Sequence, residues 1–201
     1  MEKKIVMVTG ATSGIGEACA RKFASGGYNV IITGRSGEKL DALRRELESM
    51  GAEVLAMQFD VRERESARKA VDFLKGKWAK IDVLINNAGL ALGLDKEYEG
   101  DFNDWDTMID TNIKGLLNMT RFVVPGMVER NEGHVINIGS VAGDAAYANG
   151  NVYCATKAAV KALSDGLRID VAESDVRVTN LKPGLVQTNF SNVRFHGDDA
   201  R

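Results

Sequence analysis

Tyr153 and Lys157 stand four residues apart in the stretch NVYCATKAAVKAL, which begins at Asn151. That spacing puts a phenol and an ammonium on one face of a helix. Together they could transfer protons. A free phenol, with a pKa of about 10, is a poor base at neutral pH, and lowering it by about three units takes roughly 4 kcal/mol of selective stabilisation of the phenolate. An ammonium about 4 Å away supplies on the order of 4 kcal/mol at an effective dielectric of about 20, before the opposing desolvation is subtracted. The plainer reading is packing and solubility. Cys154 points about 100° away from Tyr153 on a helix and takes no part.

A second set of residues suits phosphate. The segment VTGATSGIGEACARKF follows an apolar run and opens a helical pattern, with Gly10, Gly14 and Gly16 spaced G-x-x-x-G-x-G. Glycine lets the backbone approach a ligand, and the helix start offers unpaired N–H groups and a partial positive charge. Those are the requirements of a pyrophosphate site at the first turn of a doubly wound sheet. The hydroxyls of Thr9, Thr12 and Ser13 add donors. About twenty residues on, where an NAD site would place Asp or Glu, the sequence ITGRSGEKL offers Arg35 and no acid at the strand end. The guanidinium fork suits a 2′-phosphate, so the cofactor expected is NADP.

Six short apolar, β-branched runs must position these groups: 3–9, 29–33, 53–59, 81–86, 134–139 and 176–181. They alternate with helical patterns such as Leu40, Leu43, Leu47 and Met50. The βαβα order predicts an α/β fold, a Rossmann-like doubly wound parallel sheet with helices on both faces. Residues 1–190 read as a single dinucleotide-binding catalytic domain, and 191–201 as the start of a substrate loop region.

Composition excludes several classes. Hydrophobic residues make up 44% and charged residues 27% of 201, and the net charge is −2, so neither disorder nor a nucleic-acid or acidic-membrane partner is indicated. The mixed run RERESARK reads as a solvated helix face. Two cysteines, Cys19 and Cys154, fit neither a metal motif nor a disulfide framework, and His134 and His196 form no ligand pattern. No metal is expected. No apolar run is long enough to span a bilayer, and a cytoplasmic protein is expected.

The chain resembles the short-chain dehydrogenase/reductase family from residue 3 to about 190. TGATSGIG is followed by FDV (59–61), NNAG (86–89), TNIKG (111–115), GSVAG (139–143), YCATK (153–157) and PGLVQT (183–188). Each motif is weak alone; seven in this order are specific. Asn112, inside a helical pattern, could otherwise be a local kink, Ser140 a strand-end cap, and NNAG a simple turn.

The resemblance implies a catalytic tetrad of Asn112, Ser140, Tyr153 and Lys157. Tyr153 would exchange a proton with the substrate oxygen, Ser140 would hydrogen-bond that oxygen, Lys157 would hold the nicotinamide ribose, and Asn112 a relaying water. It implies cofactor contacts from Gly10, Thr12, Ser13, Gly14, Ile15 and Gly16. Asp60 and Val61 would line the adenine pocket, with Asn86, Asn87, Ala88 and Gly89 beside the cofactor and steadying the central sheet, and Pro183, Gly184, Val186 and Thr188 at the nicotinamide. The family's strand order is 3-2-1-4-5-6-7, and its members are commonly homotetramers. They usually run longer and close with a seventh strand, so a further C-terminal part is expected beyond Arg201, the alternative being a short form of the family.

The stretches containing GNVY and FSNVRF look like the branch acting on small 3-hydroxy acids, serine among them, with NADP. Arg194 would clamp the substrate carboxylate. The alternatives are a 3-oxoacyl-thioester or general carbonyl reductase of the same family, and a non-catalytic NADP-binding protein.

Overall fold

The computed structural model describes residues 3–186; Thr188 and Arg194 lie outside the described residues. Six strands form one parallel sheet in the order β3-β2-β1-β4-β5-β6. They are β1 (Ile5–Val8), β2 (Asn29–Gly34), β3 (Val54–Gln58), β4 (Val83–Asn86), β5 (Gly133–Ile138) and β6 (Val176–Leu181). All six expected runs are strands, with ends shifted by one to two residues at most. The strand order reverses between β1 and β4, which opens a crevice at their carboxyl ends.

Both faces of the sheet are covered, which explains the uninterrupted Val/Ile runs. Val6, Val8, Val30, Ile32, Val83 and Ile85 pack against Ala20 and Ala24 of α1 (Gly14–Ser25) and Leu40, Leu43 and Leu47 of α2 (Gly37–Ser49). The alternate residues Met7, Ile31, Leu84 and Val135 face α3 (Arg64–Asp72) and α5 (Leu116–Glu129), meeting Ala67, Met119, Val123 and Met127. Leu167 of α6 (Asn151–Asp170) joins this second face. Each buried Leu or Met contributes about 1.5–3 kcal/mol. The mixed-charge run forms the exposed face of α3, where Arg68 pairs with both Glu65 and Asp72.

Between α4 (Phe102–Ile109) and α5, residues Asp110–Gly115 make a π-helical turn. Asn112, for which a local kink is the plainer alternative to a catalytic role, sits in this turn. Such turns insert one extra residue and re-aim the side chains they carry. Asp101 starts α4 by accepting hydrogen bonds from the backbone N–H of Asn103 (2.7 Å) and Asp104 (3.2 Å).

Candidate active site

The crevice floor is built around Thr9. Its hydroxyl donates to Ile85 O (3.2 Å) and accepts from the N–H groups of Asn87 (3.0 Å) and Ala88 (3.0 Å). The Asn87 amide donates back to Thr9 O (2.9 Å) and Gly10 O (3.0 Å). The turn after β1 is thereby fastened to the turn after β4. Gly10 and Gly14 adopt φ of +62° and +56°, conformations that glycine enters at no steric cost. At Gly16 a Cβ would run into the Asn87 amide and Gly10 O, so the close packing of the first turn of α1 on the glycine turn calls for glycine.

These features fit a pyrophosphate. Ser13 stands at the N-cap of α1 but makes no side-chain cap bond, so its hydroxyl does not take up the first-turn N–H donors that a phosphate would use. Asn87, expected beside the cofactor, spends its side-chain amide on the glycine turn, next to the seat that fits the phosphates.

At the adenine end, Arg35 is exposed just past β2. Asp60 is bound by the Arg62 guanidinium through both carboxylate oxygens, the shortest contact being 2.7 Å. Partial burial pushes the Asp60 carboxyl up, but the Arg62 hydrogen bonds and charge, with the Arg35 charge added, hold it below its ordinary value. Val61 is fixed by Asn118 Nδ2 on its carbonyl (2.9 Å) and by packing against Gly115.

The proton-transfer residues converge on the same crevice. Tyr153 and Lys157 lie in the first two turns of α6, with Lys157 Nζ 5.9 Å from the phenol ring centroid. Lys157 is only 7% exposed, and its ammonium donates to Ile138 O at 2.8 Å. Burial drives its pKa down from 10.5 to about 8. A Cβ on Gly89 would sit 3.1 Å from Asn112 Oδ1 and 3.5 Å from Lys157 Nζ, so NNAG, the π turn and α6 meet there.

Asn112 grips the backbone of Leu90, accepting from its N–H (2.9 Å) and donating to its carbonyl (2.8 Å), and also donates to Thr156 Oγ1 (3.0 Å). Ser140 stands two residues past β5, at the start of a short 3-10 turn, where its Oγ accepts from the Ala142 N–H (3.1 Å). Pro183 is drawn to this turn by the Val141 N–H on its carbonyl (3.2 Å), while Gly184 and Val186 lie exposed beyond it.

Residues 4–199 match the family described as short chain dehydrogenase. The chain belongs to that family. The dehydrogenase is 56% identical over 198 residues to the NADP-dependent 3-hydroxy acid dehydrogenase YdfG of Salmonella typhi, covering 98% of this chain and 79% of that protein. It is 44% identical to sulfoacetaldehyde reductase 2 of Chromohalobacter salexigens, covering 98% and 78%. Its fold superposes with a TM-score of 0.94 on the closed form of a serine dehydrogenase complexed with NADP+, at 54% identity, covering 97% of this chain and 78% of that one.

Several residues that shape this dehydrogenase's crevice were not singled out in sequence. Gly143 lies against α6: a Cβ there would press on the Lys157 carbonyl (2.6 Å), so the Ser140 turn packs directly on the helix that carries Lys157. Thr156 links Asn112 to the Tyr153 carbonyl, to which its hydroxyl donates (2.7 Å). The Ile138 carbonyl that holds Lys157 has no sequence signature. Among the described residues no group of His, Cys, Asp or Glu could hold a metal ion, and no helix is long and apolar enough to cross a membrane.

Proposed function

We propose that this short-chain dehydrogenase transfers hydride between NADP and a small 3-hydroxy acid or its keto form, serine-like compounds included. The observation that carries the reading is the meeting of Tyr153, Lys157, Asn112 and Gly89 beside a glycine turn fitted to a pyrophosphate. Arg35, exposed past β2, supports NADP over NAD. The names of the relatives, a 3-hydroxy acid dehydrogenase and a serine dehydrogenase complexed with NADP+, support the substrate and cofactor class.

Gly10, Gly14, Gly16 and the α1 start would hold the pyrophosphate, Asp60 and Val61 the adenine, and Pro183, Gly184 and Val186 the nicotinamide side. When bound, the nicotinamide supplies or accepts the hydride. The chain's residues manage the proton. Tyr153 gives a proton to the substrate oxygen in reduction and takes it in oxidation. The Ser140 oxygen already accepts from Ala142, which leaves its hydrogen for that same substrate oxygen. Lys157, held on Ile138 O, favours the phenolate electrostatically. The Asn112 side chain is committed to Leu90 and Thr156, so the water expected of it would be held by its backbone, at the π turn. A cytoplasmic homotetramer goes with this proposal; light scattering on the purified enzyme tests the oligomeric state, and cell fractionation the location.

NADP-coupled assays on serine, 3-hydroxyisobutyrate, 3-hydroxypropionate and a set of uncharged alcohols and ketones test the assignment. The acids are expected to give the highest kcat/KM. Faster turnover of the uncharged compounds would reject the substrate class, and equal use of NADH would reject the cofactor.

A further inference from the structure

Three asparagines stand in a row across the sheet. Asn86 of β4 is the register partner of Asn137 of β5, and Asn137 is that of Asn180 of β6. The first two are 4% and 1% exposed. Asn86 Nδ2 donates to Asn137 Oδ1 (2.9 Å) and also lies 3.1 Å from Thr120 Oγ1. Asn137 Nδ2 donates to Ser164 Oγ (2.9 Å), and this hydroxyl, 0% exposed, donates to Val160 O (2.7 Å). A buried, one-way line of donors therefore runs from β4 through β5 into α6.

Stability alone does not account for this row. The carboxamide oxygens of Asn86 and Asn180 are buried without a partner. A buried unsatisfied polar group costs about 1–3 kcal/mol, and apolar residues would fill the same sheet without that cost. What the row does possess is location. Asn137 immediately precedes Ile138, whose carbonyl holds Lys157. Ser164 lies seven residues, two helical turns, beyond Lys157 on α6. Asn180 tucks under Gly139, where a Cβ would strike its Oδ1, directly before Ser140.

We propose that Asn137 and Ser164 are positioning residues for proton transfer. Adjacent residues of β5 anchor α6 twice, Ile138 through Lys157 and Asn137 through Ser164. Two anchors fix both the slide and the rotation of α6 along the strand. They thereby set where Tyr153 and Lys157 stand relative to Ser140, two residues past the end of the same strand. With one anchor removed, the helix can shift by fractions of an ångström, enough to degrade a proton-transfer geometry while the phosphate seat on β1 and α1 is untouched. This rests on the assignment of Tyr153 as the proton donor.

The test is Ser164→Ala in the full chain. Alanine is the strongest helix former and removes one oxygen, so the variant folds. The expected result is a fall in kcat of about tenfold or more, with the KM for NADPH within about twofold of the parent. Asn137→Ala should give a similar fall, and the double variant little more than either alone, since both cut the same line. A kcat for Ser164→Ala within twofold of the parent would overturn the proposal. So would kcat and NADPH KM moving together, or a double variant whose loss is the product of the two single losses. If Asn137→Ala fails to fold, Ser164→Ala decides alone. Tyr153→Phe is assayed alongside: retained turnover there refutes the proton-donor assignment itself, a separate result from any behaviour of Ser164.

Discussion

Replacing Lys157 by methionine should make the enzyme slower and more stable at once. The ammonium stands 5.9 Å from the Tyr153 ring centroid. At an effective dielectric of about 20, that separation is worth about 3 kcal/mol in favour of the phenolate. Losing it predicts a drop of about a hundredfold in kcat/KM at neutral pH, partly recovered as the pH rises. Stability moves the other way. Burial lowers the Lys157 pKa from 10.5 to about 8. The unfolded chain then binds more protons than the folded one between about pH 8 and 10.5, so the lysine's contribution improves as pH climbs through that window. Below it the full penalty stands, about 3 kcal/mol. Methionine removes the penalty and forfeits about 1 kcal/mol for the lost bond to Ile138 O. The variant should be roughly 2 kcal/mol more stable at pH 7, with an advantage that shrinks by pH 10. Urea unfolding of both proteins without cofactor, at pH 7 and pH 10, and a kcat/KM profile from pH 6 to 10 provide the readout. A variant that is both slow and less stable at pH 7 would refute the electrostatic reasoning.

Other outcomes follow from the same site. Tyr153→Phe should abolish turnover while NADPH still binds, as followed by fluorescence titration; near-normal rates would remove the proton-donor role. Arg35→Ala should weaken NADPH binding by about tenfold to a hundredfold and leave NADH binding unchanged, the cost of a charged hydrogen-bond donor. Gly16→Ala should lower thermal stability by about 1–3 kcal/mol and impair NADPH binding, because its methyl must displace Asn87 or Gly10 O. Arg194→Ala should raise the KM for a 3-hydroxy acid far more than for an uncharged alcohol; equal effects on both would dismiss the carboxylate clamp.

The sheet was legible because strands covered on both faces need continuous Val and Ile, and the runs at 29–33 and 81–86 have nothing else to be. Glycines at 10, 14 and 16 could be read for the same kind of reason: backbone approach demands a residue type. Partners were harder to read. An amide in a sequence does not disclose which carbonyl it will meet; the Asn87 side chain meets Thr9 O and Gly10 O. The motif around Asn112 marks it as a tetrad residue but does not reveal that a π turn would aim its side chain at Leu90. Ser164 and Asn137 were invisible, since a serine in an amphipathic helix and an amide in a strand are ordinary until their burial is known. Lys157 was recognised by its spacing from Tyr153, whereas its desolvation, which sets its charge balance, arises only from the packed crevice.

Thr9 leaves one further consequence. A single hydroxyl ties the residues that would cradle phosphate to those adjoining Lys157, and the Asn87 amide doubles the bond. The bottom of the crevice is therefore cross-tied by hydrogen bonds, which favours its moving as one unit when a ligand arrives. Whatever opens to admit substrate and shuts to exclude water must belong to the rim, so exchanges of rim loops should alter which alcohol is accepted without retuning the machinery beneath.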